Sequence, residues 1–305
     1  MHPVRAIDCA PNLVDATTDP VVWATAREAE GWPVLAAADH LWDTTRAYAH
    51  WAVTLTQFAM CTTRPLITSS FANNLLRSPV EFAQAALSLQ RASNGRFEAG
   101  LGAGWAADEI TGIGLRYPTP GERAGRYAEA MHVVRSLFRD GHCRFTGTYL
   151  DVDVPGIAPV VAKPPPLVAS VGGPRTIREV VPLVDRVELK LSSAATRSGR
   201  LDIGTLATVD LDHLKSLVDQ VRALRPDVPL GVFVMVGCGA DPRVAALGEA
   251  LAGTFMGSLV GEPERVAEVV RSFAALSISR VQLTPYSADT LPLLAPHLAH
   301  DPVDG

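Results

Sequence analysis

Short apolar runs alternate along this chain with longer segments in which apolar side chains recur every three or four positions. The short runs read as buried parallel strands and the longer segments as helices laid over them. Eight strands are predicted, over residues 4–9, 34–38, 66–71, 97–101, 167–171, 187–191, 230–236 and 281–284. Helices are predicted over 21–30, 48–61, 79–91, 122–139, 176–184, 210–224, 242–255, 263–276 and 290–298. Several have clear starts: Asp19-Pro20 and Ser78-Pro79 each place a capping side chain before a proline in the first turn. The regularity breaks over 141–166, where a hairpin-like stretch from Cys143 to Tyr149 is followed by a cluster of prolines. A connection that long in an α/β chain is more often functional than idle.

Eight strands alternating with helices over 305 residues predict a (β/α)8 TIM barrel with insertions, with 1–305 as one domain. A doubly wound sheet is the alternative. In a barrel the active site lies at the C-terminal ends of the strands. Those ends collect Asp8, Asp39, His40, Trp42, Ser70, Phe71, Gly102, Gly104, Trp105, Gly172, Gly173, Lys190, Ser192 and Thr284. Polar and glycine residues are concentrated there, as a cofactor-binding mouth requires.

The stretch from Ala92 to Ile110 carries the most chemistry. A turn at Ser93-Asn94-Gly95 leads into the fourth strand, after which Gly100, Gly102 and Gly104 alternate and a helical pattern begins near Trp105. Glycines let backbone come close to a bulky group, and a helix start offers free N–H groups. The same turn also arises where a helix merely packs tightly on a sheet. Residues 102–107 fit the Gly-x-Gly-x-x-Ala dinucleotide fingerprint, but that fingerprint closes a first strand and needs an acidic residue at the end of the next one. Here the match follows the fourth strand, and the corresponding region near Glu129 is mid-helix, so a Rossmann site is rejected.

Composition narrows the functions. A net charge of -5 argues against nucleic-acid binding, and no apolar run reaches transmembrane length. The four cysteines are widely spaced without a Cys-x-x-Cys pair, which predicts reduced thiols in a cytoplasmic protein. The remaining histidines show no ligand spacing, so no metal site is expected. Ser170 lacks the first glycine of a nucleophile elbow, which argues against serine hydrolysis.

Several motifs together resemble the luciferase-like monooxygenase superfamily, and within it the branch that uses the deazaflavin coenzyme F420. They are Ala38-Asp39-His40, Arg77-Ser78-Pro79, Ser93-Asn94-Gly95-Arg96-Phe97, Gly100-Leu101-Gly102-Ala103-Gly104-Trp105, Gly172-Gly173-Pro174-Arg175 and the run from Val260 to Val266. The resemblance implies the same barrel. It places Asp39 and His40 against the deazaflavin ring, with His40 in the position of a catalytic base. It implies a non-proline cis peptide at Ser70-Phe71 behind the ring, and a cofactor channel lined by Gly102, Ala103, Gly104 and Trp105. Gly172, Gly173, Pro174 and Arg175 would cradle the cofactor phosphate, and Lys190 would neutralise it. Sugar dehydrogenases of the branch carry a glutamate acid where this chain has Trp105, which removes that acid.

The resulting expectation is a hydride-transferring reductase that uses reduced F420 on an activated C=C or C=N bond of a small-molecule substrate. A homodimer is expected, with no nucleic-acid or membrane partner. The alternatives are an FMN-dependent monooxygenase on the same fold and a non-catalytic barrel that only carries a deazaflavin or flavin. His40 held structurally by Asp39, Trp105 packed under its helix, and Lys190 as a surface lysine are the corresponding structural readings.

Overall fold

Strands that read as continuous apolar runs need cover on both faces, and a ring of parallel strands inside a ring of helices provides it. The computed structural model describes residues 7–43 and 47–300. Its barrel strands are β1 (Asp8–Leu13), β2 (Val34–Ala37), β3 (Leu66–Ser69), β4 (Phe97–Gly102), β5 (Leu167–Val171), β6 (Arg186–Lys190), β7 (Leu230–Val236) and β8 (Arg280–Pro285). Each pairs in parallel with its sequence neighbours. β8 returns to β1 with Asp8 opposite Arg280, and β3 meets β4 with Ile67 opposite Phe97, so the eight-stranded ring closes.

The first strand differs from the sequence reading. It begins at Asp8 rather than ending near it, so Asp8 lies at the N-terminal end of the barrel and Asn12 reaches the mouth. Pro11-Asn12 carries turn-type residues, and only pairing with β8 and β2 holds this stretch extended. Residues 4–6 of that expected strand lie outside the described residues. The helix expected near Trp105 starts at Ala107, and the one expected from Tyr48 spans Trp51–Cys61.

The turn before β4 is built by two left-handed residues, Asn94 (φ 54) and Gly95 (φ 88). They aim Arg96 back into the bottom of the barrel, where its guanidinium donates to the carbonyls of Ala59, Thr62, Pro65 and Ser93. The arginine of that motif therefore clamps the turn before β4 to the connection before β3. The 141–166 insertion forms an antiparallel hairpin, Cys143–Thr146 with Asp151–Val154. Glu129 on the long helix Pro120–Asp140 accepts the N–H groups of Thr148, Tyr149 and Leu150 at 2.8, 2.8 and 2.9 Å, pinning the hairpin's turn to that helix.

The barrel interior is polar from floor to mouth. At the floor Arg280 pairs with Glu98 across the ring, with Arg186 4.0 Å from the same carboxylate and Asp8 3.8 Å from Arg280. Above it lie Glu188 and Gln282, both fully buried. Neither carboxylate oxygen of Glu188 and neither amide atom of Gln282 has a hydrogen-bond partner among the described residues. At the mouth Asn12 donates to Thr284 Oγ1 at 3.2 Å. Side chains alternate along a strand, so Arg186, Glu188 and Lys190 stack one above another on the inner face of β6. Val187 and Leu189, on its outer face, fill the apolar layer under the helices.

Candidate active site

β3 does not run straight into the mouth. The Ser70-Phe71 peptide is cis, and the chain resumes as a short strand, Ala72–Asn73, against Leu101 and Gly102 of β4. The alternating glycines of β4 serve this bulge. A Cβ on Gly100 would sit 2.1 Å from the Ser69 carbonyl, and one on Gly102 would sit 3.1 Å from Phe71 Cβ. Gly104 is left-handed (φ +79), and a Cβ there would meet Asn73 Oδ1 at 2.3 Å. The bulky group that these glycines approach is the protein's own bulge. These glycines thus let the bulge seat.

Asp39, two residues past β2, has both oxygens engaged. It pairs with Arg77 through two hydrogen bonds and accepts the Asn73 N–H at 2.6 Å, so it ties the second connection to the bulge. His40 is thereby set at the mouth. Its Nδ1 lies 2.6 Å from Glu109 Oε1, and its side chain keeps 22% of its surface exposed while that of Glu109 keeps 1%. With the carboxylate ionised Nδ1 must donate, which leaves Nε2 as the free basic nitrogen. Glu109 Oε2 has no partner among the described residues. The partner of His40 is therefore Glu109, not Asp39.

Trp105 stands edge-on to His40, with ring centroids 5.6 Å apart, and its main-chain carbonyl accepts the Tyr117 hydroxyl at 2.6 Å. The Lys190 ammonium lies 6.0 Å from the indole centroid and donates to Thr196 Oγ1. Burial, with Arg123 nearby, pushes the Lys190 amine down to about 8. Lys190 is thus an inward-facing mouth residue and not a surface lysine. No three His, Cys, Asp or Glu side chains among the described residues group as a metal site would need.

The glycine turn after β5 divides into two unlike halves. A Cβ on Gly172 would lie 2.8 Å from the Lys190 carbonyl, so close packing on β6 demands glycine there. Gly173 has ordinary extended backbone (φ -150), and a Cβ would meet only Ser193 Oγ at 3.4 Å. The positive φ that a tight turn would give it is absent. Its open side faces the start of helix Pro174–Val180, whose first N–H groups have no partner within the helix. Pro174 supplies none of them. Arg175 turns away, donating to Glu179 at 3.1 Å and to the Gly121 carbonyl at 2.8 Å.

Sequence reasoning missed Asn12, Glu109, Arg123 and Thr196. Asn12 was hidden by the misplaced first strand; it is 2% exposed and its Oδ1 has no partner among the described residues. Glu109 looked like one acidic residue in a helical first turn. No local pattern marks it as the partner of His40, 69 positions earlier.

Residues 11–201 match the family model described as luciferase-like monooxygenase. A curated relative, an F420-dependent glucose-6-phosphate dehydrogenase of Amycolatopsis mediterranei, is 30% identical over 160 residues, covering 51% of this chain and 48% of that one. The chain thus aligns with about half the length of that relative. A solved F420-dependent secondary alcohol dehydrogenase in complex with an F420-acetone adduct superposes with a TM-score of 0.75 at 16% identity, covering 97% and 98% of the two chains. The coenzyme F420-dependent tetrahydromethanopterin reductase of Methanopyrus kandleri gives 0.71 at 13% identity, covering 96% and 98%. At such identities these likenesses establish a common fold.

Proposed function

We propose, from the premise that this chain belongs to the luciferase-like monooxygenase family, that it is an oxidoreductase using coenzyme F420, and that it passes hydride from the reduced deazaflavin to an activated C=C or C=N bond of a small organic substrate. The observation that carries the proposal is the His40–Glu109 pair held beside Trp105 at the barrel mouth. The F420-dependent activities for which the relatives are named support the choice of cofactor.

The residues present fit such a cofactor. The unpartnered, buried Asn12 Oδ1 at the mouth can accept an N–H from a ring edge. The open Gly173 and the helix start after it can take a phosphate on main-chain N–H groups. The cofactor supplies the hydride chemistry when bound. The protein's part is placement and proton handling. Trp105 walls the mouth with a flat apolar face, which suits a planar acceptor. His40, steadied by Glu109, offers Nε2 for the proton that must accompany the hydride.

A second reading has its own support. Trp105 removes the sugar-dehydrogenase acid, but Glu109 supplies a carboxylate bonded to His40. A base so oriented could equally take a proton from an alcohol, as the names of the curated relatives suggest for them. Titration of the purified protein with F420 and with FMN, followed by turnover in both directions, separates the readings. FMN binding without F420 binding would favour the flavin monooxygenase and overturn the cofactor assignment. Reduction of F420 by an alcohol, without reductase activity on any unsaturated acceptor, would reverse the direction.

We propose a homodimer in a reducing, cytoplasmic setting. Helix Trp51–Cys61 contains no acidic or basic residue, and Val53 and Met60 on it are 59% and 74% exposed beside Val22 of helix Pro20–Ala29 at 66%. Such a face can meet its own copy without like-charge repulsion. All four cysteines are free. Sedimentation analysis that finds a monomer at micromolar concentration would reject the dimer.

A further inference from the structure

Between two strands with polar inner faces, β7 turns apolar side chains inward. Gly231 faces Glu188, and side chains alternate along a strand, so Phe233 and Met235 share the inner face of β7. Val232, Val234 and Val236 point outward and are buried under the helices. Register sets Phe233 level with Lys190 and Gln282, and Met235 level with Thr284. Phe233 and Met235 are only half-buried although they lie inside the ring, so the mouth reaches both of them. Tyr286, half-buried just past β8, donates its hydroxyl to Met235 Sδ at 3.3 Å. A thioether is a weak acceptor, and a phenol settles for one where the surroundings are apolar. Burial accordingly pushes Tyr286 up to about 12. Lys190, level with Phe233, turns instead to Thr196 and Trp105.

Phe233, Met235 and Tyr286 thus form one apolar wall with no ionised group on it. Apolar surface held against water is unfavourable, and an apolar partner relieves it. A sugar set against this wall would give up hydrogen bonds to water and find little but the Tyr286 oxygen in exchange. The wall also stands apart from the residues that fit the cofactor. Asn12 lies on β1, the bulge follows β3, and Gly173 follows β5. In the closed ring β7 is four strands from β3, so the wall faces the bulge from the opposite side of the mouth.

We propose that Phe233, Met235 and Tyr286 are the substrate wall of this mouth, and that the substrate is an uncharged aromatic or conjugated ring compound. This rests on the oxidoreductase reading and narrows its substrate class. The polarisable Met235 sulfur favours the edge of an aromatic ring over an aliphatic group, and its unbranched chain adapts to rings of different shape. Phe233 and Tyr286 offer a ring edge-to-face or offset-stacked contact. Tyr286, whose one donor is spent on Met235, keeps its oxygen lone pairs for an N–H or O–H on the ring.

The test labels the methyl groups of the five methionines with carbon-13 and follows them by NMR. Met235→Leu, which keeps the wall apolar, identifies the Met235 signal by its loss. Acetophenone is the aromatic probe and glucose 6-phosphate the polar one, each titrated with and without saturating F420. Acetophenone is expected to shift the Met235 methyl by its ring current in both conditions, and glucose 6-phosphate to leave it in place. Met235→Asp should bind acetophenone at least about tenfold more weakly, because it sets a charge against the ring. F420 affinity, read by fluorescence, should stay within about twofold in Met235→Asp. A Met235 methyl that does not respond to acetophenone up to its solubility limit would overturn the wall. So would an equal response to glucose 6-phosphate. Exclusion of acetophenone by F420, together with weakened F420 binding in Met235→Asp, would assign the wall to the cofactor and also overturn the proposal. If wild type binds no F420, the oxidoreductase reading fails, while the response of Met235 still decides the wall. Melting curves of both variants check that the fold is kept.

Discussion

His40 and Gly173 show how far one side chain's surroundings decide its part. His40 has a buried carboxylate on Nδ1 and an aromatic edge beside it, which fixes the ring and leaves Nε2 for chemistry. His40→Ala should slow turnover by about a hundred- to ten-thousand-fold, the usual worth of general acid–base catalysis, with F420 affinity kept. Glu109→Gln keeps the shape and removes the charge, and should lower kcat by about tenfold or more. Unchanged kcat in both variants would remove the pair from the mechanism. Gly173 presents the opposite case. Its extended backbone and open side mean that Gly173→Val should melt close to wild type. Any loss of F420 binding in that variant then reports a blocked cradle and not a damaged fold. Wild-type affinity would place the phosphate elsewhere.

At the scale of elements, β6 and β7 fit together through a missing side chain. A Cβ on Gly231 would lie 2.0 Å from Glu188 Oε2, so the glycine leaves the space that the carboxylate occupies. Gly231→Ala should therefore force the carboxylate aside in a close-packed interior, at a cost of about 1–3 kcal/mol. Glu188→Ala made first removes the obstacle. A double-mutant cycle by urea denaturation should show the two changes to be coupled. Additive effects would mean that the strands adjust without the carboxylate moving. The bulge between β3 and β4 follows the same logic, with Gly100, Gly102 and Gly104 making room for residues 69–75.

The whole molecule carries its polar column as a pH-dependent load. Burial raises Glu188 from an ordinary 4.5 to about 7, so the folded protein holds a proton that the unfolded chain releases above its ordinary pKa. Stability from this group is complete below about pH 4.5 and is lost as pH rises through about 7, a change on the order of 3 kcal/mol. Lys190 acts with the opposite sign at higher pH. Its folded-state value is depressed to about 8, so the unfolded chain binds more protons between about 8 and 10.5, and stability rises across that window. Urea denaturation of wild type and Glu188→Gln at pH 5 and pH 8 should show the loss in wild type and a smaller one in the variant. Equal pH dependence in the two would show that Glu188 stays ionised throughout.

The sequence alone determined the barrel, because strand and helix periods are local and an alternation of this length has few packings. It also determined that Asp39, His40, Trp105, Gly172 and Lys190 stand at strand ends, since each follows a run whose end is legible. Partnership was decided by the tertiary structure. Asp39 binds Arg77, His40 binds Glu109, and Arg280 binds Glu98 across the ring, pairs separated by 38, 69 and 182 positions along the chain. No local pattern encodes such distances; they exist only once the ring has closed. The same holds for the glycines of β4, whose close neighbour proved to be a bulge more than 25 residues earlier. The first strand was misplaced for the same reason: Pro11-Asn12 has the local character of a turn, and pairing with β8 and β2 overrides it.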